Sequence, residues 1–210
     1  GHQLLSIWTT IDAHSQSFYK DTNISDFWVA ASNPSELNMW RVRNIKGVQK
    51  AEKRFTVNNA TARIDGKPTL RVYAVPSGNT LDTSVIMAGK KLSKRGSILD
   101  RSFAQANHLS VGDTLTIEVN DKRIDTTIEA LALSSENIYA TKDTASMMPD
   151  PKRYGFIAID EDRIASAYGG LKPYNQVEVQ LAKGAGAVEI QNQMDSIFGR
   201  KLNFVMVQTD

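Results

Sequence analysis

Cysteine is absent from this 210-residue chain. Its absence excludes disulfide bonds, zinc sites built from thiolates, iron–sulfur clusters and thiol catalysis together. An exported bacterial domain and a cytosolic protein both fit a chain without cysteine, so this absence does not fix the compartment. Histidine is scarce as well, and His2, His14 and His108 lack the spacing of a metal site such as H-E-x-x-H.

Strong charge bias and long apolar runs are also missing. The chain has 25 basic and 23 acidic residues, a formal net charge of +2. This balance argues against a nucleic-acid partner, because nucleic-acid binders concentrate basic residues on one face. No apolar run approaches the ~20 residues that a membrane-spanning helix needs. The N-terminus lacks the charged and apolar regions of a signal peptide. With 41% hydrophobic residues, the composition predicts a globular domain.

The N-terminal segment carries apolar residues at helical spacing. Leu4, Trp8, Ile11 and Phe18 fall near one stripe, which predicts a helix over residues 4–20. Two interpretations stay open: an amphipathic helix packed on a core, or a stalk that rises from a membrane.

A strand and a helix are predicted next. Residues 26–31 read as a buried strand, and Pro34 is well placed at the first position of a helix that runs to Ile45. We expect Leu37, Trp40 and Ile45 to face inward. Core packing is the default expectation for the tryptophans.

Turn signals divide the remainder into short elements. Asp65-Gly66 predicts a hairpin turn, because this dipeptide tolerates the positive φ that tight hairpins need. Up to residue 153 the predicted elements are a strand at 84–88, a helix at 99–109 with Asp100 as N-cap, a hairpin over 114–130 that turns at 120–122, and a long connection at 134–153. After it, the predicted elements are a strand at 154–159, a short helix capped by Asp160, a strand at 176–181, a helix at 187–198 and a strand at 202–207.

This order is strand–helix–strand, then a β-rich insert, then strand–helix–strand. It predicts an α+β fold with two lobes, in which an α/β lobe is interrupted by a smaller β-rich lobe. The predicted segments are a stalk at 1–20, the α/β lobe at 21–78 and 154–210, and the inserted lobe at 79–153.

Candidate chemistry is sparse. Ser17 and Lys20 match S-x-x-K, but the K-T-G and S-D-N partners of that serine nucleophile are missing. Asp160-Glu161-Asp162 suits either a hard cation or the positive end of a helix dipole. His108 is interpreted as a residue at a helix end, with a catalytic base as the alternative.

The basic run and Trp8 each have two interpretations. Lys90-Lys91 and Lys94-Arg95 form a solvated loop or contact anionic lipid head groups or an acidic partner. Trp8 alone is also a candidate for a bilayer interface. No catalytic, cofactor-binding or metal-binding residue is assigned, and no cofactor is expected.

Several motifs together resemble a known family. They are Phe18-Tyr19, Ser25-Asp26-Phe27-Trp28-Val29, Ile45-Lys46-Gly47-Val48, Glu52-Lys53-Arg54, the block from Gly96 to Ala104, and the block from Asn107 to Leu115 with its Leu-Ser-Val-Gly-Asp-Thr-Leu run. The order resembles the stretch after the first transmembrane helix of FtsX/MacB-like ABC transporter permeases.

The resemblance implies a non-catalytic extracytoplasmic domain at the bacterial cell membrane, with a porter-like α/β lobe interrupted by a β-rich lobe. Helix 4–20 would continue a removed membrane helix. The implied partners are a cytoplasmic ATP-binding subunit, reached through membrane helices, an adaptor or an exported peptide or lipoprotein, and a second permease copy in a membrane dimer. The domain would relay ATP-driven motion. No ATPase motif lies on this chain.

A second hypothesis is a stand-alone ligand-binding or hydrolytic domain with a cleft between two lobes. Ser17 and Lys20, or Asp160 to Asp162, would supply its chemistry. This hypothesis predicts a deep pocket lined by those residues.

Overall fold

A computed structural model describes residues 8–13, 25–76, 92–134 and 150–207 of the chain. Within these ranges the strands are β1 (Trp8–Ala13), β2 (Phe27–Ala30), β3 (Val48–Arg54), β4 (Thr56–Ala62), β5 (Thr69–Val75), β6 (Gly96–Asp100), β7 (Thr114–Val119), β8 (Lys122–Ser134), β9 (Tyr154–Asp160), β10 (Gln176–Leu181) and β11 (Phe204–Met206). The helices are α1 (Glu36–Arg43), α2 (Arg101–Ala106), α3 (Glu161–Ala165) and α4 (Ala187–Phe198). The predicted α+β class is confirmed.

A four-stranded antiparallel sheet is built from two segments far apart in the chain, residues 27–54 and 176–206. Its order is β11-β2-β10-β3, so the units β2–α1–β3 and β10–α4–β11 interleave. The strands and helices bury one common core, which includes Phe27, Val42, Val177, Ile190 and Met194. The sheet therefore forms only when these two segments meet.

The middle of the chain forms a seven-stranded mixed sheet with the order β1-β8-β6-β9-β5-β4-β7. Because β7 also pairs with β8, six of these strands close into a ring. Strand β9 is buried on both faces: Ile157 and Ile159 belong to one apolar cluster, and Phe156 and Ala158 to another. This period of two matches the pleat of a central strand.

Caps and turns follow the sequence signals. The Asp100 carboxylate accepts hydrogen bonds from the Ser102 and Phe103 backbone N–H groups, so this residue is the N-cap of α2. Strands β7 and β8 are joined by Asn120 and Asp121, both at positive φ, as a two-residue hairpin loop of type I′ requires. The predicted N-cap at Asp100 and the predicted turn at 120–122 are confirmed.

Two helix predictions are wrong. Part of the predicted helix 4–20 is strand β1, which pairs with the long strand β8. Thr9, Thr10 and Ile11 are β-branched and favour strands, and the edge of β8 supplies the partner that decides between the two structures. The predicted inner face of α1 is wrong for Leu37 and Trp40, which are exposed, and right for Ile45, which is buried just after the helix.

The limits of the two sheets differ from the limits of the segments predicted from the sequence. Residues 56–75 and 154–160, assigned from the sequence to the porter-like lobe, lie in the seven-stranded sheet as β4, β5 and β9. Sheet membership changes between β1 and β2, after Arg54, and before Gln176 instead. Because β9 pairs with strands remote in sequence, β5 and β6, local periodicity carried no information about its sheet.

Several sequence predictions lie outside the described residues. They are the strand at 84–88, most of the connection at 134–153, and the residues Ser17, Lys20, Lys90 and Lys91. Of the helices in the described ranges, none combines the length and the apolar character that crossing a bilayer requires.

Candidate functional site

Two passages of the chain between the sheets are described in full, and they lie side by side. The first passage is between β3 and β4, at Phe55, and the second precedes β10. The Asn175 backbone N–H donates to the Arg54 carbonyl at 2.9 Å, which holds the two passages together. We call residues 52–56 and 174–178 the junction.

A side-chain amide fastens the two passages at a second point. Asn175 Nδ2 donates to the Thr56 carbonyl at 2.8 Å, and Asn175 Oδ1 accepts from the Thr56 backbone N–H at 3.1 Å. These two bonds join residues 119 positions apart in the chain. An amide is suited to this role because it supplies one donor and one acceptor in one plane.

Changing Asn175 to aspartate should therefore destabilise the protein. The carboxylate would place an acceptor against the Thr56 carbonyl and lose one bond, at a cost of about 1–3 kcal/mol. The free energy of unfolding in urea measures this cost. Asn192→Asp makes the same chemical change at an exposed position of α4 and should stay within about 0.5 kcal/mol of the parent. Equal effects of the two variants would contradict the assigned role.

Charged residues surround the same junction. Arg54 contacts two carboxylates: its Nη2 lies 2.6 Å from Glu52 Oε2, and its Nε lies 3.1 Å from Glu178 Oε2. Glu178 is only 1% exposed, and the adjacent guanidinium offsets part of the cost of burying a carboxylate there. An arginine fork, largely shielded from solvent, thus lies where the chain changes sheets.

Aromatic packing completes the junction. The buried ring of Phe55 meets the ring of Tyr174 edge to face, with 6.0 Å between the ring centroids. Lys53 Nζ lies 4.7 Å from the centroid of the same tyrosine ring. The groove beside these residues has enclosed room for about one water molecule, far less than a drug-sized ligand needs.

The acidic cluster predicted from the sequence is neutralised by lysines. Lys94 Nζ lies 2.9 Å from Asp162 and 3.6 Å from Asp160, and Lys172 Nζ lies 3.4 Å from both Glu161 and Asp162. The hydrogen bond from Lys94 lowers the pKa of Asp162. The structure thus brings Lys94 of the basic run to the acidic cluster, and none of the described His, Asp and Glu residues form a group of three suited to a metal.

The helix-capping interpretation holds for this cluster and for His108. The Asp160 carboxylate accepts from the Asp162 backbone N–H at 2.8 Å as the N-cap of α3. His108 is exposed and follows the C-cap Asn107 of α2 with a φ of 56°. Asp160, Glu161 and Asp162, the described residues of the hydrolytic hypothesis, take part in capping and ion pairs and do not line the groove at the junction.

Sequence reasoning missed the residues of the junction. Glu178 lies between Val177 and Val179 and reads as the solvent-facing residue of an alternating strand. Asn175 precedes that strand and has the composition of an ordinary turn. Arg54 was noted only within the motif that resembles the permeases. No local signal identifies them, because their partners come from the other passage.

Comparisons with known proteins bear on the fold. No protein-family model and no curated protein matches this sequence. Among solved structures, the periplasmic region of MacB from Actinobacillus actinomycetemcomitans matches with a TM-score of 0.50 and 10% sequence identity, over 89% of this chain and 89% of that chain. The extracellular domain of the ABC-type transporter YknZ from Gram-positive bacteria has a TM-score of 0.47 and 13% identity, over 88% of this chain and 99% of that chain. The MacB likeness shows a shared fold.

Proposed function

We propose that this chain is a non-catalytic extracytoplasmic domain of a bacterial ABC transporter permease of the FtsX/MacB type. In this proposal it relays motion, driven by a cytoplasmic ATP-binding subunit, to an adaptor or an exported substrate. The fold shared with the periplasmic region of MacB supports the proposal. So does the motif order between Phe18 and Leu115, which resembles that of such permeases.

The observation that carries the relay is the pair of adjacent passages at the junction. A single linker would let one sheet rotate freely about the other, whereas two fastened passages resist twisting. The Asn175–Thr56 bonds and the Arg54–Glu178 ion pair hold the two passages against each other, which leaves bending about the junction as the motion between the sheets. We infer that a displacement of the four-stranded sheet reaches the seven-stranded sheet through this point.

The opposite end of the four-stranded sheet is where motion would enter. Strand β10 begins at the junction with Gln176 and ends at Leu181, whose backbone N–H donates to the Asp26 carboxylate at 2.7 Å. The Val207 backbone N–H donates to the Asp26 carbonyl at 2.9 Å. The start of β2 and the end of β11 therefore lie side by side, away from the junction. In the proposal, this end faces the membrane.

Relay of motion has a thermodynamic requirement. A partner is driven by the movement only if it binds the two arrangements of the domain with different affinity. The proposal therefore includes at least two inter-sheet arrangements that depend on nucleotide state.

Distances between spin labels on the two sheets test the relay in the full permease. This chain has no cysteine of its own, so in a full permease from which cysteines outside the chain have been removed, Gln193→Cys on α4 and Lys122→Cys on β8 give defined label sites, and both positions are exposed. We expect the distance distribution of this pair to change between the ATP-bound and nucleotide-free permease.

A second label pair serves as the control. Ser32→Cys and Gln193→Cys both lie on the four-stranded sheet unit and should keep their separation in every state. If the pair across the junction keeps its separation too, the domain does not relay motion between its sheets.

A further inference from the structure

Helix α1 presents two large apolar side chains to solvent. Leu37 is 55% exposed and Trp40 is 62% exposed. Their spacing of three residues puts them next to each other on the helix surface. Met39 and Val42 are fully buried in the core of the four-stranded sheet, so α1 is packed in place and the exposed pair lies on its other side. We call Leu37, Trp40 and the exposed Arg41 the α1 face.

The exposure of this pair has a physical cost. Each large apolar side chain left in water forgoes the stabilisation that burial would supply. Two adjacent exposed side chains of this size form a patch, and patches of this kind mark interaction sites more often than single exposed residues do. Tryptophan and arginine are also the residues most enriched among the binding hot spots of protein interfaces.

The charge around α1 indicates the chemistry of the partner. Between residues 31 and 51 the chain carries four basic residues and one acidic residue: Arg41, Arg43, Lys46 and Lys50, against Glu36. The one acid is paired, since Lys53 Nζ lies 2.5 Å from Glu36 Oε2. The segment that carries the α1 face therefore combines an exposed apolar pair with a net positive charge, and its complement is an apolar side chain flanked by carboxylates.

We propose that the α1 face binds a segment of a partner protein that presents apolar residues flanked by aspartate or glutamate. A protein segment fits better than a lipid surface for two reasons. Helix α1 has eight residues and buries its other face, whereas helices that lie in a membrane surface carry a long apolar stripe. On α1 itself the exposed large apolar side chains are Leu37 and Trp40, and an area of this size suits a pocket on a protein more than an acyl layer.

This inference rests on the proposed function for the existence of an extracytoplasmic partner. Its test needs neither membrane nor nucleotide. If the chain does not bind the partner segment, the relay of motion can still be shown by the label distances. If the label distances do not change with nucleotide, the binding measurement still tests the α1 face.

The test titrates the chain with a synthetic amphipathic helical peptide whose leucine stripe is flanked by glutamates. Isothermal titration calorimetry measures its Kd. We expect Trp40→Ala to weaken binding by roughly thirty-fold, as loss of a hot-spot tryptophan does. Arg41→Glu should weaken binding by about ten-fold and reduce its salt dependence. Trp40→Phe should restore most of the affinity.

Leu171→Ala is the matched control, because Leu171 is a 75% exposed leucine outside the α1 face. It should leave the Kd unchanged, and far-UV circular dichroism should show every variant folded. Three results would overturn the proposal. The first is that a peptide with lysine in place of glutamate binds equally well or more tightly, and the second is that Trp40→Ala leaves the Kd unchanged. The third is that the chain does not bind the peptide, whether or not it binds phosphatidylglycerol vesicles.

Discussion

Replacing Arg54 with methionine is expected to lower the free energy of unfolding by about 3–5 kcal/mol. The guanidinium of Arg54 contacts Glu178, which is almost completely buried, and Glu52, which is partly exposed. Without it, the Glu178 carboxylate keeps its desolvation penalty and loses the charge that offsets it. Urea denaturation followed by circular dichroism measures the change.

Two companion variants separate the ion pair from the space that it fills. Glu178→Gln should cost less than Arg54→Met, because Arg54 keeps Glu52 as a partner. The double variant Arg54→Met, Glu178→Leu should recover much of the lost stability, since a buried pair replaced by apolar residues is often tolerated.

An exposed ion pair provides the matched control. Arg63 Nη1 lies 2.7 Å from Glu118 Oε2, and these two side chains are 40% and 42% exposed. Arg63→Met should therefore change the free energy of unfolding by about 1 kcal/mol or less. If Arg54→Met costs no more than Arg63→Met, the arginine fork does not stabilise the junction.

Phe55→Ala is expected to cost about 3–5 kcal/mol, the usual range for removing a fully buried phenylalanine ring. The cavity would open where the chain passes between the sheets, and Tyr174 would lose its edge-to-face partner. Phe55→Leu should cost less, because it keeps most of the volume. Thermal unfolding and urea denaturation both report the loss.

Phe103→Ala distinguishes a local effect on the junction from general destabilisation. Phe103 is also fully buried and lies on α2, where its ring packs close to Gly155. We expect it to lower stability as much as Phe55→Ala does. Only Phe55→Ala should broaden the distance distribution between labels at positions 122 and 193. Equal broadening by both variants would mean that the junction has no special role in holding the sheets.

Local elements were accessible from the sequence where the pattern is strong and the signals are short-range. The helix over 187–198 has the predicted bounds and buries Ile190 and Met194, because its apolar residues repeat at helical spacing. Asp100 and Asp160 cap helices through bonds to residues two or three positions away. Such contacts depend on neighbours in the chain, so composition and spacing are sufficient to predict them.

The same reasoning failed where burial depends on distant partners. Leu37 and Trp40 repeat at helical spacing as convincingly as core residues do, yet the sheet packs against Met39 and Val42. A helix with apolar residues on both sides has no preferred inner face by itself. The sheet decides which side is buried.

The sequence alone determined that the chain is α+β and that it carries no thiol chemistry. Tertiary structure decided which strands share a sheet, and it placed Arg54 and Asn175 at one junction. The reason is that β10 and the residues before it pair with β3 and Thr56, more than a hundred positions earlier. Contacts across such separations leave no periodicity in either segment, so they become visible only when the chain has folded.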